Sequence, residues 1–326
     1  MGSIQGDQSS EVAAGHTTTV VESRPDTREN GHRPGSIADM TSLPDTPDAG
    51  DDYLRAREQS ENFPVALRIL PRRHRRHLQA VYDVARVIDD LGDRGAGDRT
   101  PRLKEFDADL DALFGGGTPR APVLQRLAPT VRDCGLDAQP FHDLVAANLQ
   151  DQETAAYGTW ADLAGYCRLS ADPVGRIVLA VFGVSTPQRV ALSDNICTAL
   201  QVIEHCQDVV EDRRAGRVYL PLEDLDRFGV RLTDLDAPRA TPGVRRLVAF
   251  QADRAGALLD SGLPLLRELP GWSRVAVTGY LAGGRATLYA LRRAGWDVMS
   301  GPPRPRKRDV VAQALAATVG SGVTSK

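Results

Sequence analysis

The chain has 326 residues, 41% of them hydrophobic and 25% charged, with a formal net charge of −3. That length holds one large domain or two ordinary ones, and the mildly acidic balance argues against a nucleic-acid binder. No run of ~18 apolar residues occurs, so no segment is expected to span a membrane.

Residues 1–52 are rich in Gly, Ser, Thr, Asp and Pro and show no apolar periodicity. Such a segment buries too little surface to order itself, and a disordered N-terminal tail is expected. The N-terminus also lacks the apolar core of roughly 7–15 residues that marks a secretory signal. The four cysteines, Cys134, Cys167, Cys197 and Cys206, form no C-x-x-C pair, so no zinc knuckle is suggested. A cytoplasmic protein is the expectation.

From residue 53 to about residue 300 the apolar spacing is helical and strand signals are almost absent, which predicts a single all-α domain. The predicted helices cover 60–94, 101–114, 121–133, 137–151, 159–182, 187–214, 241–262 and 272–297. Loops fall at Gly115–Pro119, Asp234–Gly243 and Ser300–Pro305, where Gly and Pro cluster. Within 159–182, Pro173 is expected to kink or break the helix, and Gly175 to permit a close approach of backbone or substrate. A plain junction between two helices fits the same residues. Residues 301–326 are read as a basic tail around "RPRKR", Arg304 to Arg308. A short basic run is an ordinary solvated feature, and it is also compatible with weak contact at an anionic membrane surface. No Rossmann fingerprint is present, so no nicotinamide cofactor is expected.

Two of the predicted helices share an unusual pattern. At about 100° per residue, Gln79, Asp83, Arg86, Asp89, Asp90 and Asp93 fall within a sector of about 120°, together with Tyr82. Leu78, Val81, Val84, Val87, Ile88 and Leu91 cover the rest. A helix apolar over most of its surface is normally buried, so its polar sector faces a cavity or a groove. In the second helix Asp194, Cys197, Gln201, Glu204, His205, Asp208, Glu211 and Asp212 form a stripe on an otherwise apolar cylinder. Gly92 predicts that the first helix ends or loosens there, either at a cleft mouth or as an ordinary C-cap.

Acids at i, i+4 and i+8, such as Glu204, Asp208 and Asp212, repel one another. Partial burial deepens that cost and raises their pKa values. A cation relieves it, and an all-carboxylate oxygen set suits Mg²⁺, which completes its octahedron with water and phosphate oxygens. One acidic stripe alone fits a solvated helix end equally well. Two stripes on two buried helices point instead to a cavity that grips a diphosphate through bridging metals. His205 reads as a hydrogen-bonded bystander on the second stripe.

The segments "ENFPVALRILP" (Glu61 to Pro71), "VYDVARVIDDLGD" (Val81 to Asp93), "YCRLSADPVGR" (Tyr166 to Arg176) and "CQDVVEDRRAGRVYLPLEDLDRFGV" (Cys206 to Val230) resemble the squalene/phytoene synthase family. The combination is most similar to its hydroxysqualene synthase branch. The resemblance implies an all-α isoprenoid synthase fold around a central cavity and Mg²⁺-dependent ionisation of a prenyl diphosphate, with two or three ions. In this branch the substrate would be presqualene diphosphate and the product hydroxysqualene, made when water quenches the rearranged cation. A presqualene diphosphate synthase would supply the substrate and a hydroxysqualene oxidoreductase would consume the product.

Carried over by motif, Asp89, Asp90 and Asp93 would be the first metal cluster, and Glu204, Asp208 and Asp212 the second. Glu204 departs from the family, where Asn is common, and Arg94 stands where many relatives carry a further acid. Arg94 is left to pair with an acid, to hold a phosphate or simply to face solvent. Arg86 and Arg217 would contact the diphosphate. Phe63, Tyr82, Gln201 and Tyr219 match cavity-lining positions, the aromatic rings suiting a carbocation. Gln201 is one candidate to hold the quenching water, and the released diphosphate is another candidate to take its proton.

Overall fold

A computed structural model describes residues 69–94 and 97–320. The described residues contain no β-strand; one isolated bridge joins Ala156 to Val218. Phe63 and the expected N-terminal tail lie outside the described residues.

Four long helices open the described chain: α1 (Arg72–Asp93), α2 (Thr100–Phe114), α3 (Pro122–Cys134) and α4 (Gln139–Glu153). Their apolar faces, with α6 (Asp172–Val181), enclose one core that includes Leu78, Ile88, Leu103, Leu124, Phe141 and Ile177. The second core gathers α5 (Trp160–Ser170), α7 (Pro187–Gln207), α10 (Pro242–Gly262) and α12 (Gly271–Arg293) around Ile196, Ile203, Leu247, Leu259 and Leu281. Short pieces connect them: α8 (Val209–Arg214), α9 (Leu222–Phe228), a 3₁₀ turn at Leu232–Asp236 and α11 (Leu265–Glu268).

The helix starts follow their sequences. Thr159 opens α5 with a reciprocal cap: its Oγ1 accepts from the Asp162 backbone N–H at 3.2 Å, and Asp162 accepts from the Thr159 N–H at 2.9 Å. Thr186 and Thr241 cap α7 and α10, each followed by a proline at the first helical position, where the missing N–H costs nothing. Gly135 closes α3 in the left-handed region, at φ 61°, where glycine carries no Cβ penalty.

The predicted helix 159–182 is two helices, because Pro173 cannot donate a backbone hydrogen bond and α6 starts afresh at Asp172. Gly175 serves helix packing. A Cβ there would overlap Ser193 Oγ and Cys197 Sγ of α7. Gly175→Ala is therefore expected to cost about 1–3 kcal/mol, measurable as a lowered denaturation midpoint.

The predicted helix 187–214 also divides. Asp208 leaves helical geometry at φ −100°, ψ 15°, between α7 and α8. Gly92 lies in the last turn of α1, which ends one residue later at Asp93, close to where the sequence predicted. It is buried within the helix where Asn148 of α4 crosses, and a Cβ at this position would overlap the Asn148 amide. The C-terminal segment differs most from expectation: residues Lys307–Gly320 form a helix, α13, packed on α12. Arg293 of α12 donates to Asp309 of α13 at 2.9 Å. No described helix is long and apolar enough to cross a membrane.

Candidate active site

The two acidic stripes meet at one cavity of about 270 Å³. The helix α1 contributes Arg86, Asp89 and Asp93; α7 contributes Gln201, Glu204 and His205; Asp208, Asp212, Arg217 and Tyr219 follow in sequence. The floor comes from α4 and α5, with Leu144, Asn148, Asp151, Tyr166 and Ser170. Both helical cores thus supply a wall. Leu144 is the only aliphatic residue among the described residues of the lining, and the cavity is polar. Its volume lies below the roughly 300–1,000 Å³ of ordinary drug-sized ligand sites, and it suits a charged headgroup.

Of the residues singled out in the sequence, Arg86, Asp89, Asp93, Gln201, Glu204, Asp208, Asp212, Arg217 and Tyr219 line this cavity. Tyr82 and Asp90 do not. Tyr82 shares the angular sector of Asp89 but stands two turns, roughly 10 Å, further along the axis, and is 8% exposed. Asp90 is rotated by about 100° from Asp89, and it pairs with Arg94 at 3.1 Å and Arg86 at 3.9 Å. Arg94 thus finds a carboxylate, one of the alternatives open from the sequence.

The arginines already engage the acids. Arg217 donates to Asp93 at 3.0 Å, bridging the two walls, and Arg86 lies 3.8 Å from Asp89. Asn148, pressed against Gly92, donates to Asp89 at 3.5 Å. Arg304, from the segment before α13, lies close enough to Asp208 to oppose the rise of its pKa. That segment is tied down by Gln207, which donates to the Pro303 carbonyl at 2.6 Å. The two residues are 96 positions apart in the chain.

The aromatic floor was not legible from helical phasing. Asp151 accepts from the Tyr166 hydroxyl at 2.8 Å and the Tyr219 hydroxyl at 3.0 Å. Tyr219 stacks on His205 with centroids 4.0 Å apart, and burial pushes the His205 pKa down to about 3. His205 is therefore a neutral part of this wall. Tyr166 did stand inside a recognisable segment, "YCRLSADPVGR". Asp151 and Asn148 gave no signal beyond two polar residues on an amphipathic helix.

The acids are under strain. Burial, then Asp208 and Glu204, push Asp212 up to about 8. Burial and Glu211 push Asp208 up to about 6. Burial likewise raises Asp89 to about 7 against the pull of Arg86. Because 48% of the Asp89 side chain still faces open space, cavity water limits that rise, and Asp212, 23% exposed, is the more firmly shifted.

Among the described residues no three His, Cys, Asp or Glu side chains converge closely enough to hold an ion alone. The chemistry of the donor set still fits Mg²⁺: carboxylate oxygens on both walls, destabilised by mutual repulsion, with room for water and phosphate oxygens to complete the shell.

A pH dependence follows. Asp212 and Asp89 titrate in the folded protein well above the ordinary carboxylate value of 3.8. The fold holds protons that the unfolded chain has lost, so its stability falls as pH rises through that window. The depressed His205 acts in the opposite sense, removing stability only as pH falls through its ordinary 6.5. Between about pH 7 and 8.5 the acids decide. The metal-stripped protein should melt at lower temperature at the upper end of that range, and Mg²⁺ should restore most of the loss. Thermal melts with and without chelator check this.

An all-helical shell around an acid-lined cavity is the architecture of the isoprenoid synthases. The chain belongs to the squalene/phytoene synthase family, whose model matches residues 56–311. It is 35% identical to the hydroxysqualene synthase of Rhodopseudomonas palustris over 65% of this chain and 72% of that one. It is 32% identical to the phytoene synthase of Mycobacterium tuberculosis over 82% of this chain and 90% of that one. Among solved structures, the squalene synthase HpnC from Alicyclobacillus acidocaldarius superposes with a TM-score of 0.70 at 43% identity, covering 77% of this chain and 94% of that one.

Proposed function

We propose that this protein converts presqualene diphosphate and water to hydroxysqualene and diphosphate, with Mg²⁺ at the two acid clusters. The observation that carries the reading is the cavity in which Asp89 and Asp93 face Glu204, Asp208 and Asp212, with Arg86 and Arg217 among them. The likeness to a hydroxysqualene synthase supports the branch.

Bound Mg²⁺ would neutralise charge on the leaving diphosphate. Arg86 and Arg217 exchange their carboxylate partners for phosphate oxygens and orient the group, as planar guanidinium forks do. The positive charge left on the hydrocarbon meets the stacked ring of Tyr219, held in place by Asp151 and His205, and the ring face of Tyr166 beside it. Neutral His205 adds no cation to repel it. The reaction is redox-neutral and draws on no nicotinamide. The long hydrocarbon chain of substrate and product fits a protein that works at a membrane surface, and the basic segment Arg304–Arg308 is the part of this chain suited to that contact.

A second reading is favoured by the phytoene synthase likeness, which extends over more of the chain: head-to-head condensation of two prenyl diphosphates. Purified protein with Mg²⁺ should be given farnesyl diphosphate and presqualene diphosphate separately. Consumption of presqualene diphosphate with formation of an alcohol is expected. Consumption of farnesyl diphosphate alone would establish condensation instead. Diphosphate release from neither would favour a non-catalytic isoprenoid-binding scaffold.

A further inference from the structure

We infer that Ser170 holds the water that becomes the product hydroxyl; the inference rests on the hydroxysqualene reading above. Ser170 is the last residue of α5 and lines the acid-walled cavity. Its Oγ is buried and has no hydrogen-bond partner. That state is unusual. Buried hydroxyls are almost always paired, and a helical serine can otherwise bond back to the carbonyl one turn earlier. Here neither bond forms, so a hydroxyl able to donate once and accept twice is left over beside a polar space.

The partner that resolves this is water. A single water needs a cavity of roughly 10–15 Å³ and two to four polar partners. The cavity is far larger, at about 270 Å³, and Gln201 and Tyr166 line it along with Ser170. Several alternatives within the wall are already engaged, and Gln201 Nε2 lies 3.4 Å from His205 Nε2. Tyr166 and Tyr219 give their protons to Asp151, and neutral His205 is stacked on Tyr219. Arg86 and Arg217 are committed to the acid clusters. Ser170 is thus the lining hydroxyl left to hold a neutral nucleophile away from the diphosphate-binding charges.

The step balances without an oxidant. The carbon–oxygen bond to diphosphate has broken, with its electron pair leaving on the phosphate oxygen. The water oxygen, oriented by Ser170 Oγ, forms the new carbon–oxygen bond, and its surplus proton passes to the departed diphosphate. Without a positioned water the cation loses a proton from carbon, and a hydrocarbon forms instead.

The test is product partition from presqualene diphosphate and Mg²⁺, read as alcohol formed per diphosphate released, so that slower ionisation does not imitate the effect. Ser170→Ala and Ser170→Gly should lower the alcohol share by about tenfold, the scale of losing one positioned reactant, with hydrocarbon rising to match. Ser170→Thr, which keeps the hydroxyl, should restore most of the alcohol. An unchanged alcohol share in both the Ala and Gly variants overturns the role of Ser170 and leaves the hydroxysqualene reading standing. A wild-type protein that releases diphosphate yet makes no alcohol overturns that reading and the Ser170 role with it. Folding is checked by thermal melts, and the glycine variant removes the hydroxyl without adding bulk if alanine is not accommodated.

Discussion

Asp89→Asn and Asp208→Asn are each expected to reduce diphosphate release by about 10²–10³-fold, the scale seen when one preorganised electrostatic contact to a developing charge is removed. The two residues sit on opposite walls of one cavity, so either change leaves one half of the grip intact. Asparagine keeps the shape and one carbonyl oxygen but removes the negative charge that a cation needs. Because both residues act on the same group, the double variant should lose far less than the product of the two effects. Stability should move the other way. Burial raises the pKa of both carboxyls, so each amide should raise the melting temperature of the metal-stripped protein above neutral pH. Falling activity with rising apo-stability separates a ligand site from a merely structural one. A release assay coupled to pyrophosphatase, with parallel thermal melts, reads both quantities. Unchanged release in both variants would remove the acid clusters from the chemistry.

Asp151→Ala carries the second large effect, on stability. Tyr166 and Tyr219 are each 6% exposed, and both spend their hydroxyl protons on the two oxygens of this carboxylate. Truncation strands two buried donors, each costing about 1–3 kcal/mol. Burial raises the Asp151 pKa, so removing the carboxyl refunds part of that loss and leaves a net cost of about 2–4 kcal/mol. For a chain of this size that lowers the melting temperature by roughly 4–10 °C. Asp151→Asn keeps one accepting oxygen and should show about half the effect. Tyr219 also stacks on His205, so the loosened floor should slow turnover in the same variant. A melting temperature within a degree of wild type would mean that the two phenols find other partners.

The sequence made the two acidic walls legible because each is written within one helix. Periodicity is a local signal, and Asp89, Asp93, Glu204, Asp208 and Asp212 were close enough in the chain to be phased. Asp90 and Tyr82 share the polar sector of the first helix but lie outside the cavity lining, Asp90 because it is rotated by about 100° from Asp89 and Tyr82 because it stands two turns further along the axis. The floor was illegible for the opposite reason. Asn148 and Asp151 on α4, and Tyr166 and Ser170 on α5, are polar residues spaced like those of any amphipathic helix. Only the packing of α4 against α1, which Gly92 permits, and of α5 against α4 turns them inward. The division at Pro173 was readable because proline lacks a donor. The division at Asp208 was not, because no Gly or Pro marks it. Lys307–Gly320 looked like a tail because its basic entry masked a helix whose partner, α12, lies earlier in the chain.

The central claim is that the two acidic walls become a diphosphate site only when Mg²⁺ joins them. Titration of inorganic diphosphate into the protein by calorimetry, at about pH 8 with and without Mg²⁺, tests it most directly. Linkage requires each ligand to tighten the other by the same factor. An affinity gain of at least about tenfold with Mg²⁺ is expected, and Asp208→Asn should abolish most of that gain. Equal affinity for diphosphate in the presence and absence of Mg²⁺ would contradict the account.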